Sequence, residues 1–133
     1  MKYVLDTNIC IFLINRTHPK VAKALLRRRA EDVSISVITA AELRFGAEKS
    51  ARREVALSKL DLLLSTLNAV PFDLPAVAAY GQVRADLSKR GTPIGPLDTL
   101  IAAHALSLGA VLVTNNTREF KRVRGLPIED WTA

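Results

Sequence analysis

Short apolar runs alternate with longer stretches of helical periodicity along the whole chain. KYVL at 2–5, VSI at 33–35, AVPF at 69–72, AVLVT at 110–114 and LPIED at 126–130 are too short for helices and read as strands. Pro71 lacks a ladder donor, which places 69–72 at a sheet edge. Helical patterns lie between them. The first is IFLI after Asn8, and the second covers about 20–30 behind Pro19, ending in Arg27, Arg28 and Arg29. The third and fourth cover about 38–49 and 52–67, and Val55, Leu60, Leu63, Leu64 and Leu67 form a core stripe in the fourth. The fifth, about 75–90, stops at Gly91 with Lys89 and Arg90 in its last turn. The sixth starts at Gly95-Pro96, which puts Asp98 in its first turn, and ends at Gly109. Asn116 or Thr117 opens a brief helix. Short strands alternating with helices predict an α/β fold: a central short parallel sheet of about five strands, flanked by helices on both faces. No linker or repeat interrupts the pattern, so 1–133 reads as one domain.

Composition narrows this reading. The chain is 49% hydrophobic and 24% charged, ordinary for a globular protein, so disorder is not expected. Aromatics make up only 5%, which suits aliphatic helices packed on a sheet. One cysteine, Cys10, excludes an intramolecular disulfide, and two histidines, His18 and His104, are too few for a Cys/His zinc site. Cys10 and His104 read as packing residues. The apolar start is cut by Asp6, Thr7 and Asn8, unlike a signal peptide, and no run reaches the roughly 20 apolar residues of a membrane span. A cytoplasmic protein without membrane contact is expected. The net charge of +6 favours polyanionic partners.

Three acids carry candidate chemistry, each beside a simpler role. Asp6 ends a strand and would cap a helix. Thr39-Ala40-Ala41-Glu42 fits a capping box, while helical counting sets Glu42 on a face with Ile38, Phe45 and Gly46. Asp98 suits a helix dipole. Asp6 follows one predicted strand and Asn116 another, at the strand ends where ligands of such sheets bind. Three carboxylates converging at about 5 Å would repel by about 3 kcal/mol per pair at an effective dielectric of 20. Convergence therefore calls for a cation or raised pKa values. Oxygen ligands of this kind favour Mg²⁺ or Mn²⁺, which activates water and neutralises a phosphodiester. Arg118, Lys121, Arg122 and Arg124, just past the last site strand, are candidate phosphate contacts. Arg27, Arg28 and Arg29, with Arg52 and Arg53, read as solvated helix ends.

Four blocks in order, VLDTNI at 4–9, SVITAAELRFGAEKS at 36–50, GPLDTLIAAHA at 95–105 and LVTNNTREFKRVRGLPIEDW at 112–131, resemble the PIN-domain toxins called VapC, most nearly the enterobacterial type. The resemblance implies Mg²⁺-dependent cleavage of RNA that leaves a 5′-phosphate and a 3′-hydroxyl. Its acids map to Asp6, Glu42 and Asp98, with Thr7 and Thr114 as hydroxyls near the metal and Asn8 as support. Its fourth acidic position falls at Asn116, a catalytic candidate that can still orient a water or ligand; Glu119 could supply the charge, although a capping-type contact with Asn116 is the favoured reading of Glu119. The resemblance also implies a homodimer, a VapB-type antitoxin whose tail covers the site, operator DNA bound through the antitoxin complex, and a tRNA substrate cut in the anticodon region, initiator tRNA first.

Two other readings use the same residues. A phosphatase of the haloacid-dehalogenase type needs a second Asp two positions after Asp6, where Asn8 stands. A non-catalytic module binding RNA or protein would use the acids only as caps.

Overall fold

All five strands of the sheet run parallel, so every strand ends at the same edge, and that edge holds the acids. The computed structural model describes residues 2–133. Strands β1 (Tyr3–Leu5), β2 (Val33–Ser36), β3 (Asn68–Val70), β4 (Val111–Val113) and β5 (Ile128–Glu129) lie in the order β3-β2-β1-β4-β5. Parallel pairing matches Tyr3 with Val33 and Val111, Ser36 with Val70, and Val113 with Glu129. Strands this short carry their stability in side-chain burial, and their alternation decides which helices each face receives.

Leu5, Val33, Ile35 and Val113 point to one face, with helices α1 (Thr7–Asn15), α2 (Pro19–Leu26), α3 (Val37–Glu48) and α4 (Arg53–Thr66) contributing Ile9, Val21, Leu43 and Leu60. Val4 and Leu112 point to the other, which receives α5 (Leu74–Lys89), α6 (Pro96–Ser107) and Phe120 of the single-turn α7 (Thr117–Phe120). In α6 every residue from Ile101 to Ala105 is buried, three of them alanines that let α5 and the sheet approach closely. The stripe of α4 behaves as expected at Leu60 and Leu67, which are buried, whereas Val55 is exposed.

Several boundaries differ from the sequence reading, each for a local reason. Helix α1 starts at Thr7 and not after Asn8, because Asp6 caps it by accepting the Ile9 N–H. Helix α2 stops at Leu26, so Arg27, Arg28 and Arg29 lie past its end. Arg28 is not a solvated helix end: its guanidinium lies 4.5 Å from the Trp131 ring centre and 5.0 Å from that of Tyr3, and it donates to the Ala24 carbonyl. Strand β3 is finished before Pro71. Helix α3 begins at Val37 with Ser36 as its cap, which leaves Thr39 inside the helix and removes the Thr39–Glu42 capping box.

Candidate active site

Each acid reaches the carboxyl edge on a different element, and Asp6, Glu42 and Glu119 are held there by hydroxyls or amides. Asp6 follows β1 and is 4% exposed. Oδ1 accepts the Ile9 N–H at 3.0 Å, and Oδ2 accepts a short hydrogen bond from Thr114, which follows β4. Thr114 is itself fully buried and accepts the Asn116 N–H at 2.9 Å. Asp6 therefore caps α1 with one oxygen while its other oxygen is held from the neighbouring strand. Burial raises its pKa, opposed by the Thr114 hydroxyl and the amides of Ile9 and Asn8, and the nearby charge of Glu42 raises it further. Asn8 contributes that backbone N–H, while its side chain faces solvent.

Glu42 lies in the middle of α3, half-buried against α1. Thr7 donates to its Oε1 at 2.6 Å, with the fully buried Thr39 hydroxyl 3.4 Å from Thr7. The face predicted to hold Phe45 with Glu42 is not a buried one: Phe45 is 65% exposed, and Thr39, Leu43 and Ala47 make the buried side of α3. Thr39 was legible in the sequence only as a cap; once Ser36 takes the cap, its hydroxyl is free to serve Thr7.

Asp98 sits in the first turn of α6, as its sequence position requires. Its carboxyl pKa is pushed up to about 6, by burial first and then by the charges of Glu119, Glu42 and Asp6. Glu119 of α7 reaches back across the cleft. Its Oε1 accepts the Gly95 N–H at 2.8 Å, and its Oε2 accepts from the Asn116 side-chain amide at 2.6 Å. Gly95 marks how close these acids come: a Cβ there would stand 3.4 Å from Asp98 Oδ2 and 3.8 Å from Glu119 Oε1. The Asn116 amide and the Glu119 carboxylate thus stand together beside Asp98.

The four carboxylates share one electric field, and none of them takes part in an ion pair among the described residues. Their packing is looser than the sequence argument required. Among the described residues, no three acid, histidine or cysteine side chains are grouped tightly enough to enclose an ion. The donor set still fits a hard divalent cation: it is all oxygen, anionic, and has no cationic side chain paired with it. The four basic candidates nearby, Arg118, Lys121, Arg122 and Arg124, are all exposed. Arg122 donates to the Pro93 carbonyl at 3.0 Å, and the largely exposed Arg124 approaches Asp86 at 3.7 Å.

A parallel α/β sheet with acids gathered at its carboxyl edge describes a hydrolytic site of the nuclease kind, and comparison with known proteins agrees. The PIN domain family model matches residues 3–126. The chain is 43% identical over 132 residues to the tRNA(fMet)-specific endonuclease VapC of Shigella flexneri, covering 99% of each. It is also similar to the DNA-bound VapBC structure from Salmonella typhimurium (TM-score 0.94, 44% identity, 98% of each chain). A third match is VapBC2 from Rickettsia felis bound to a promoter DNA fragment (TM-score 0.92, 41% identity, 98% of this chain and 99% of that one). The chain belongs to the PIN-domain family, within its VapC branch of metal-dependent endoribonucleases. No helix among the described residues is long and apolar enough to cross a membrane.

Proposed function

We propose that this protein is the toxin of a VapBC-type pair, a Mg²⁺-dependent endoribonuclease that cuts tRNA in its anticodon region, initiator tRNA first. The observation that carries the reading is the set of four carboxylates, Asp6, Glu42, Asp98 and Glu119, sharing one field without a cationic partner. The likeness to an enzyme named for tRNA(fMet) supports the substrate. Asp6, Asp98 and Glu42 would hold the ion. When bound, Mg²⁺ supplies charge for the phosphodiester oxygens and activates water.

The side chains around the acids keep them in place. Thr114 fixes one oxygen of Asp6 and Thr7 one of Glu42, which orients both carboxylates and leaves each with unused acceptor capacity. Asn116 and the Gly95 amide hold Glu119 beside Asp98, so Glu119 takes the fourth acidic role. Water attacks phosphorus, the O3′ bond breaks, and O3′ leaves with a proton, giving a 5′-phosphate and a 3′-hydroxyl. Exposed Arg118 and Lys121 steer the RNA backbone, which makes affinity fall with salt.

A VapB-type antitoxin fits beside the site. An apolar groove of about 390 Å³ between α1, α3 and α4 is lined by Ile11, Ile14, Leu43, Val55 and Leu60 and opens onto Glu42. The antitoxin's tail would lie there, and the complex would bind operator DNA through the antitoxin. Leu74 and Val77, exposed three residues apart on α5, support a homodimer.

Incubating purified protein with initiator tRNA and Mg²⁺ tests the reading. Cleavage should give 5′-phosphate ends in the anticodon loop and vanish with EDTA or Asp98→Asn. Full activity in excess EDTA would overturn it.

A further inference from the structure

Glu42 and Asp98 sit on α3 and α6, which approach from different stretches of the chain. Among the described residues, one side-chain hydrogen bond joins these helices: His104 Nδ1 and Ser36 Oγ, 2.7 Å apart and 68 positions apart in sequence. Both residues are buried, His104 completely and Ser36 to 1%. Ser36 Oγ also accepts the Ile38 N–H at 3.1 Å as the cap of α3.

These contacts fix the imidazole's protonation. Because the Pro71 carbonyl can only accept, the ring proton of the neutral imidazole belongs on Nε2, and Nδ1 accepts from the Ser36 hydroxyl. His104 is then neutral and carries its own proton on Nε2. That nitrogen faces the Pro71 carbonyl without a well-formed hydrogen bond. The Phe72 ring meets the imidazole edge-on at 5.1 Å. Burial lowers the His104 pKa, against the opposing pull of Asp73 and the Pro71 carbonyl.

The spacing gives this bond leverage. Glu42 lies six residues beyond Ser36, and Asp98 six residues before His104. Both acids are therefore about 9 Å along a helix axis from the junction. A tilt of about 6° between the helices would shift the acids by about 1 Å, on a scale where such an error costs about a hundredfold in rate.

We propose that His104 is a positioning residue, whose neutral imidazole clamps the Ser36 cap of α3 to α6 and so sets the span between Glu42 and Asp98. The proposal rests on the metal-nuclease reading above. It assigns a role to a buried, incompletely bonded histidine that packing alone does not need, since leucine would fill the same space.

The test compares His104→Leu, His104→Asn and His104→Gln in the full chain. Asn places an acceptor where Nδ1 stands, Gln where Nε2 stands, and Leu none. Folding is checked by thermal melting, Mn²⁺ affinity by calorimetry, and kcat and KM on a fluorescent RNA. His104→Leu should bind Mn²⁺ about tenfold more weakly and lose about 10–100-fold in kcat, with KM for RNA within about twofold. His104→Asn should recover most of both losses, and His104→Gln should not. Adding Ser36→Ala to His104→Leu should cost no more than about twofold further in Mn²⁺ affinity. Wild-type Mn²⁺ affinity and kcat in a folded His104→Leu protein would leave His104 as core packing and overturn the proposal. If Leu fails to fold, equal behaviour of Asn and Gln would overturn it. Failure of the wild type itself to bind Mn²⁺ or cleave RNA would sink the nuclease reading as well.

Discussion

Thr114 holds Asp6 from 108 residues away, donating its hydroxyl proton to Oδ2 while Oδ1 caps α1. The bond joins the ends of two adjacent strands, β1 and β4, and both residues are buried. An acid at a helix start is common; one whose second oxygen is fixed from the neighbouring strand has lost the freedom to turn toward solvent.

Thr114→Val keeps the shape and removes the hydroxyl. Asp6 then loses its donor and the Asn116 N–H loses its acceptor, which should cost about 1–3 kcal/mol of stability. Metal affinity or kcat should fall by about 10–100-fold. Denaturant melts and Mg²⁺-dependent cleavage of a model RNA measure both. Unchanged turnover would mean that Asp6 needs no orientation.

Asn116→Asp replaces the amide that donates to Glu119 at 2.6 Å with a second acid. Two carboxylates at contact distance repel unless one takes a proton or a cation intervenes. The metal-free variant should be less stable by about 1–3 kcal/mol. Mg²⁺ should raise its melting temperature by more than it raises that of wild type, because the added acid supplies another ligand. Equal Mg²⁺ shifts in the two proteins, measured by scanning fluorimetry, would place position 116 outside the metal's reach.

Most of the architecture was legible because its signals are local. Asp6, Gly95-Pro96 and Gly91 mark helix ends by chemistry that acts within four residues, and the alternation of runs predicts a parallel sheet with helices on both faces, as found. The family resemblance added the identity of the acids. What could not be read was long-range. The Thr39–Glu42 box failed because Ser36, following an apolar strand, is an equally good cap and lies three residues earlier. The contacts of Arg122 with the Pro93 carbonyl and of Arg124 with Asp86 span about 30 to 40 positions and have no local signature. The Glu119 bond to the Gly95 amide crosses 24 residues and has no signature in either segment.

Arg16 ends α1 in the left-handed conformation, at φ 55°, the only non-glycine residue with positive φ among the described residues. A side chain there costs about 1 kcal/mol relative to glycine. Arg16→Gly should stabilise the fold by about 0.5–1 kcal/mol in urea melts and leave RNA cleavage unchanged, since Arg16 lies outside the acidic cleft. A loss of stability would show that Arg16 makes compensating contacts.

Metal-free protein should lose stability as pH rises between about 4 and 6. The Asp98 carboxyl lies at about 6 in the fold against 3.8 ordinarily, raised by burial and then by Glu119, Glu42 and Asp6. Between those values the folded state keeps a proton that the unfolded state has released, so each rise in pH favours unfolding. The contribution is complete below about 4 and gone above about 6. Asp6, raised mainly by burial, acts in the same direction. His104 acts in the opposite one, since its lowered pKa contributes stability above its ordinary value that is lost on acidification. The two trends overlap, so the measurement is the difference between wild type and Asp98→Asn in EDTA at several pH values. Near pH 4 the two should be similar. By pH 7 Asp98→Asn should be the more stable, its neutral amide carrying none of the repulsion. Mg²⁺ at pH 7 should then reverse that order, because an ion bound by the folded wild type adds stability that the variant lacks. A difference that stays flat with pH would show that Asp98 is ionised throughout and feels no crowd of acids.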